Sequence, residues 1–599
     1  MKNFLVTTDL TKSYSPSGKN IFLGHWCLVK RIKDLKNNKI TSYHWSNKKK
    51  FSKDSYYIEK TTDKICKLLT KKLNKIHDLN EEPNYWRLII YPWAYNYVSA
   101  MYDRWETIRI FLKLNKKNFY FSYQLKINEK RFTPNNFLDF VDNTFNDTWN
   151  HLVFLRIIKH INSKKIKLIK KNSRDFNEGT SSKPYPEKKS IFYYFILIYE
   201  YLFSKFAFRF NKIIFESFSF PKKEFCKICM KNFIFPSFYK LLFKNFDLIE
   251  DLDFEKRKAK FNIYKKETKS KDKFFNFLNE SIIKDLPISY FENFLRIKKK
   301  MEYLANKKKI IFSMRSWKFN DQFKVCVAEL MKKKSEYFIC EHGGGLPGEY
   351  THTSNYISKI ANHIRYDINN SNSNNKKKTY VLSPTISAIK KNEIDTNENK
   401  KLNITFHQGA KYSNSHDPGA KAEEGIKQIG EVLKFIDCLP SKIKKYTILR
   451  SKQPYNLNIK ERFIEKFGTN NFNEHTKQNF YDFARSSKLM IVNYPQTTFS
   501  ESMYFNVPTI LVCNRKFWFF KKKSLKMFNL LKKNKMAFES FEDAQKHVVK
   551  NWDKIYYWWN SQKIQYIRKL YLKEFFNVEK NWFNKWSNFI AVQKKRVFN

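Results

Sequence analysis

The segment SKLMIVNYPQTTFSESMYFNVPTILVC, residues 487–513, constrains the fold more than any other. Residues 489–492 are a short apolar run, long enough for a buried strand and too short for a helix. Pro495 pushes Tyr494 out of the helical region and ends that strand. Gln496, Thr497, Thr498 and Ser500 gather around a predicted helix start, with Glu501 just inside it. Asn506, Val507 and Pro508 close the helix, and residues 509–512 read as the next strand. A strand ending at a polar helix N-terminus makes an anion site, because unpaired N–H groups and the helix dipole both favour negative charge. In that reading Thr497, Thr498 and Ser500 hold a phosphate, and Glu501 accepts hydrogen bonds from a ribose. The plainer reading makes Thr498 or Ser500 a helix cap.

At 599 residues the chain exceeds one core, and two large domains are expected. An apolar content of 42%, with 18% aromatic, excludes a wholly disordered protein. The 115 Lys and Arg against 56 Asp and Glu give a formal charge of +59. That charge suits nucleic acid, anionic lipid or a phosphorylated substrate, or is simply the solvated surface of a lysine-rich chain. No RRM, KH, helix-turn-helix or finger signature is present, so no nucleic-acid partner is expected. Cys226 and Cys229 form a CxxC without a second ligand pair nearby. They read as ordinary reduced thiols, and no metal site is predicted. No signal peptide is read, and the expected location is cytoplasmic. Residues 191–203 are the most apolar stretch but contain Glu200 and fall short of the ~20 residues of a membrane span. They predict a buried helix or one lying on a membrane surface. The second option would place the protein peripherally on the inner face of the cytoplasmic membrane.

Earlier in the chain, strands are expected at 4–8 and 20–23, helices ending near 76 and spanning 94 to about 112, and a strand at 119–125. Residues 171–189 read as a surface insertion, 190–221 as helical, and 255–273 as a solvated helix face. Trp86, Trp93 and Trp105 are either core packing or an aromatic lining for sugar or lipid. Arg87, Asp103 and Arg104 among these aromatics need partners, either one another or a substrate.

A strand at 337–340 runs into Glu341, His342, Gly343, Gly344 and Gly345. Glycines at a strand's carboxyl end let a ligand approach the backbone, and His342 in front of them serves a phosphate or a proton transfer. Residues 367–378 read as a linker, followed by strands at 379–382 and 402–406. The latter ends at His407 and Gln408 before a polar loop at 412–419. A helix at 423–436 and a strand at 446–449 ending in Arg450 follow. Three strand ends thus offer ligand-binding groups on one edge: His407 with Gln408, Arg450, and Thr497 with Thr498. Residues 552–586 are helical and crowded with aromatics, fit to pack on another domain or to meet lipid headgroups.

The runs LGHWC, YHW, NKIHDLN, NYWRLIIYPWAY and YDRW, in that order, together with EHGGG and the 487–513 segment, closely resemble a transferase family of bacterial surface-polysaccharide (O-antigen-type) gene clusters. In that family the first run usually has Glu where this chain has His25. The 487–513 order is also similar to the donor side of GT-B glycosyltransferases. The resemblance implies an α/β fold of two Rossmann-like domains with a facing cleft and a helical, aromatic-rich C-terminal tail. Its boundaries would be an acceptor-side domain at 1–370 with helical insertions at about 126–300, a nucleotide-donor domain at 379–540, and returning helices at 541–599. It implies sugar transfer from a nucleotide donor to a cell-surface or lipid-linked glycan, at an anionic membrane surface in the peripheral reading. Gly343, Gly344, His407, Gln408, Arg450, Thr497, Thr498, Ser500 and Glu501 would line the donor site. Asp103, Glu341 and His342 are unranked candidates for the catalytic base. No cofactor is expected, since the nucleotide-sugar is a substrate and helix dipoles with basic side chains can replace a metal. Transfer of a phospho-polyol on the same scaffold, a basic nucleic-acid-binding protein, and a non-catalytic scaffold are the alternatives.

Overall fold

Strands apolar along their whole length belong in parallel sheets covered on both faces. In residues 487–492, Leu489 and Ile491 enter one core cluster while Met490 and Val492 enter two others. The computed structural model describes residues 2–29, 40, 43–171, 191–218, 220–244, 252–262, 270–341, 343–348, 356–357, 359–364, 401–421, 423–451, 457–474, 479–578 and 581–599. The expected surface insertion beyond Lys171, the linker at 367–378 and the strand at 379–382 lie outside the described residues.

The fold is mixed α/β, and the described strands form three sheets in which every pairing is parallel. The first holds β1 (Asn3–Val6), β2 (Lys19–Phe22), β3 (Tyr120–Leu125) and β4 (Ile166–Lys171) in the order β2-β1-β3-β4. The second holds β5 (Ile213–Glu216), β6 (Ile310–Ser313), β7 (Glu336–Cys340) and β8 (Asn362–Ile364) in sequence. The third holds β9 (Lys401–Phe406), β10 (Thr447–Ser451), β11 (Phe472–Glu474), β12 (Ser487–Val492), β13 (Thr509–Val512) and β14 (Ala537–Phe538). Its order, β11-β10-β9-β12-β13-β14, is the doubly wound 3-2-1-4-5-6 arrangement, which reverses direction between β9 and β12. The 1–370 region therefore carries two sheets where one was expected. Helix Trp582–Phe598 packs on the second sheet through Trp586, Ile590 and Val597.

Several local expectations need correction. Residues 190–221 are not one helical stretch: helix Ile191–Phe210 is followed by β5, whose β-branched Ile213 and Ile214 favour an extended, buried strand. The helix expected from Ala94 starts at Pro83 and runs to Leu114 through Pro92. A mid-helix proline loses one backbone bond, and here complete burial of Ile89 and Trp93 around it offsets that loss. The charged stretch from residue 255 is not wholly solvated, because Arg257 is buried against Glu292 at 3.3 Å. Trp86, Trp93 and Trp105 all lie in the largest core cluster, which settles them as packing groups.

The polar loop after β9 is also buried. Lys411 reaches Asp147 at 2.8 Å and Asp9 at 3.6 Å, and Tyr412 donates to Asp147 at 2.5 Å. The His416 ring stacks on Phe51 at 3.8 Å and meets the edge of Trp45 at 4.6 Å. Burial and the nearby Lys421 push that imidazole down to about 3, so it is neutral. Arg104, wholly buried, donates to Asn150 Oδ1 at 2.9 Å, to the Thr144 carbonyl at 3.1 Å and to the Ser413 carbonyl in this loop. It also pairs with Asp103 at 3.1 Å. A buried pair that loses one member leaves an uncompensated charge. Arg104→Met should therefore lower stability by about 3 kcal/mol in urea unfolding. An unchanged midpoint would show that the loop docks without it.

Candidate functional site

The crevice of an open parallel sheet lies beyond the carboxyl ends of its strands, where the strand order reverses. In the third sheet that point falls between His407, after β9, and Asn493, after β12. The two strand ends are clasped together. The His407 backbone N–H donates to Asn493 Oδ1 at 2.6 Å, and Asn493 Nδ2 returns a bond to the His407 carbonyl at 2.8 Å. Sequence reasoning passed over Asn493, although an amide placed directly after a buried strand is the signal for such a clasp.

Beyond Asn493 the chain turns through Tyr494 and Pro495 into helix Thr497–Tyr504. Its N-cap, Gln496, makes no side-chain capping bond, so no side chain of that residue competes for the first amides. The Tyr494 hydroxyl pairs with the Thr498 hydroxyl, and the Tyr494 ring lies 5.5 Å from that of His407. Glu501 stands one turn beyond Thr498. Burial lifts its carboxyl to about 7, with Arg450 pulling the other way. Arg450, near the end of β10, is buried beneath, its guanidinium 4.9 Å from the Phe483 ring and its Nη1 donating to the Asn479 carbonyl at 3.3 Å. Burial lowers the guanidinium's pKa, and Tyr494 and Glu501 oppose that shift. His407 and Gln496 are exposed, while Tyr494, Thr498 and Glu501 are half-buried. The structure thus brings His407, Arg450, Thr498 and Glu501 together and adds Tyr494. Gln408 is buried behind His407.

The other sequence-predicted residues fall into separate groups. Thr497 accepts a bond from the Gly344 N–H at 3.3 Å, and a Cβ on Gly343 would collide with its hydroxyl. Gly345 has φ +149°, and a Cβ there would lie 2.5 Å from the Pro495 carbonyl oxygen. The Leu346 N–H donates to that same carbonyl at 2.9 Å. The glycine turn after β7 therefore abuts the turn after β12. Ser500 faces inward, its hydroxyl 2.7 Å from that of Tyr571. Glu341 lies 3.0 Å from His363 Nε2 on β8, and His342 lies outside the described residues.

Asp103 sits in the Arg104 cluster, where it accepts from the Tyr43 hydroxyl at 2.6 Å and lies 3.2 Å from His44 Nε2. Burial works against its charge, but His44, Arg104 and Tyr43 outweigh it and hold the carboxyl below the usual range. One acid escaped sequence reasoning. Glu216, at the end of β5 and buried, accepts from Ser316 at 2.7 Å and Ser217 at 2.8 Å. Burial still lifts it to about 7 against these hydroxyls.

A family model described as LIC12162 family transferase matches residues 3–590. The chain belongs to this transferase family. It is therefore an enzyme of the transferase class. No curated protein matches the sequence. Among solved structures, it is similar to the S. aureus MnaA–UDP co-structure at 11% identity, over 65% of this chain and 98% of that one, with a TM-score of 0.35. It is similar to Anabaena HepE in complex with UDP and glucose at 9% identity, over 64% and 99%, with a TM-score of 0.31.

Glu501 keeps its proton to about pH 7 in the fold, against 4.5 for a free carboxyl. A raised carboxyl favours the fold below the free value, and that contribution is lost as pH rises through the folded one. Glu501→Gln removes the titration. The urea midpoint of the wild type should therefore fall relative to the variant between about pH 4.5 and 7. Parallel profiles would place this carboxyl in water.

Proposed function

We propose that this transferase is a glycosyltransferase that moves a sugar from a nucleotide-activated donor to a cell-surface or lipid-linked glycan, as in O-antigen or capsule synthesis. The supporting observation is the cluster of Arg450, Tyr494, Thr498 and Glu501 at the reversal point of a 3-2-1-4-5-6 sheet. In this reading the amides at the start of helix Thr497–Tyr504 receive the donor's phosphates. Arg450 supplies positive charge from below, and Thr498 and Tyr494 supply hydroxyls. Glu501 takes the ribose. As charge grows on the departing phosphate, these fixed dipoles and the guanidinium stabilise it without a metal. The Gly343–Gly345 turn closes the crevice from the second sheet.

The 379–540 unit is then the donor domain and the 1–370 region the acceptor side; helix Trp582–Phe598 returns to the acceptor side, whereas Phe541, Trp552, Tyr571 and Phe575 pack with the third sheet, against the expectation for 541–599 as a whole. The acceptor's lipid carrier places the enzyme peripherally on the inner face of the cytoplasmic membrane. The base that takes the acceptor proton must reach the hydroxyl within hydrogen-bond distance. Glu341 and His342, which precede the glycines in the sequence, are the candidates this reading keeps. Asp103, committed to Arg104, His44 and Tyr43, serves the fold in this reading.

A panel of CMP-, UDP-, GDP- and dTDP-sugars should include one that raises the melting temperature saturably. Thr498→Val with Glu501→Ala should abolish that rise while far-UV circular dichroism and the unliganded melting temperature stay within a few degrees. Collapse of the unliganded melting temperature, or no stabilisation by any nucleotide, would refute the donor site.

A further inference from the structure

Helix Ile191–Phe210 has its polarity reversed for a helix of a globular protein. Its acid, Glu200, points inward and is wholly buried, accepting from Ser237 Oγ at 2.9 Å and the Phe238 N–H at 2.7 Å. Ser204 and Ala207 are buried on the same side. The outer side carries Ile191, Phe195, Ile198, Leu202 and Phe206, which recur every three or four residues and so form one continuous stripe. Tyr201 beside them is 78% exposed and Phe195 is 64% exposed. From Ile191 to Phe206 the stripe runs about 23 Å along the surface. Leu295 and Tyr303 of helix Phe294–Leu304 are exposed too, and Arg209 reaches across to donate to the Tyr303 hydroxyl at 2.9 Å. Soluble proteins seldom leave so long an apolar strip uncovered without a use for it.

We propose that this face is the surface on which the protein rests on an anionic lipid bilayer. The charges around it point to lipid. Lys205 and Arg209 are exposed on the helix itself, Arg296 is exposed on the neighbouring helix, and Lys240 stands 5.5 Å from the Tyr193 ring. A helix that lies in the interface buries aromatic and aliphatic groups at the acyl boundary while its cations meet headgroup phosphates. Tyr and Phe suit that depth, and turning Glu200 away removes the one carboxylate of the helix from the negative surface. Among the described residues no helix is long and apolar enough to cross a membrane, so the contact is one of lying on the bilayer. The inference deepens the proposed transfer to a lipid-linked acceptor and rests on it for its purpose, but its test uses neither donor nor acceptor.

The test is cosedimentation of the full chain with vesicles of phosphatidylcholine containing phosphatidylglycerol, and with phosphatidylcholine alone. The wild type should bind the anionic vesicles more tightly, with the preference weakening as salt rises. Phe195→Ser, Tyr201→Ser and Phe206→Ser combined should weaken binding to both by at least about tenfold. Lys205→Glu with Arg209→Glu should remove the anionic preference alone. Nucleotide-induced stabilisation should be the same in all of these variants as in the wild type, which separates failure here from failure of the donor site. Absence of vesicle binding, or equal binding by the triple variant, would overturn the proposal. So would sedimentation equilibrium showing a wild-type dimer that the triple variant makes monomeric, since the face would then be an interface between copies.

Discussion

The arrangement rests on how a buried guanidinium is satisfied. Arg104 is out of contact with water, and its donors must all find acceptors inside the protein. They find Asn150, Thr144, Ala100 and Asp103 within the helical layer, and the Ser413 carbonyl from a loop far along the chain. The loop answers with Lys411, which needs Asp147 and Asp9, and with His416, which is held neutral between Phe51 and Trp45. Each side leaves a charge stranded without the other. The loop begins where β9 ends, so this mutual dependence fixes the start of the third-sheet crevice against the first part of the chain.

From that anchor the crevice follows by short steps. Asn493 ties the end of β12 to the end of β9, which sets the spacing of the two walls. The next turn starts a helix whose cap residue leaves its amides to other partners. Burial makes Glu501 hold its proton near neutrality, so with Arg450 below it the pocket is not dominated by negative charge. In the proposed donor site that balance suits an arriving phosphate.

Much of this was legible from residue order, because local patterns decide local structure. The strand at Thr509–Val512 matches the expected limits, and the helix expected at 423–436 runs Glu423–Asp437. Long-range partners were not legible. Nothing near Ser500 in the chain announces Tyr571, and nothing around the glycines of 343–345 announces Pro495. Thr497 and Thr498 look alike in sequence, yet one supports the glycine turn and the other pairs with Tyr494. The 412–419 loop was legible only as polar; that Tyr412 and His416, with Lys411 before them, are buried against opposite charges and aromatics is a long-range fact. In helix Ile191–Phe210 the apolar content was plain, but only the fold shows which side of it faces out.

The contact between the glycine turn and Pro495 has a mechanical meaning. The bond from the Gly344 N–H to the Thr497 hydroxyl, the bond from the Leu346 N–H to the Pro495 carbonyl and the bridge from Gly348 to Phe520 form a seam between the second and third sheets. Attachments strung along one line oppose separation of the two sheets and leave rotation about that line as the easier motion. If the two sheets swing relative to each other, they turn about this line as covers turn about the spine of a book, and the gap grows on the side remote from it. Without side chains at Gly343 and Gly345, that spine stays narrow.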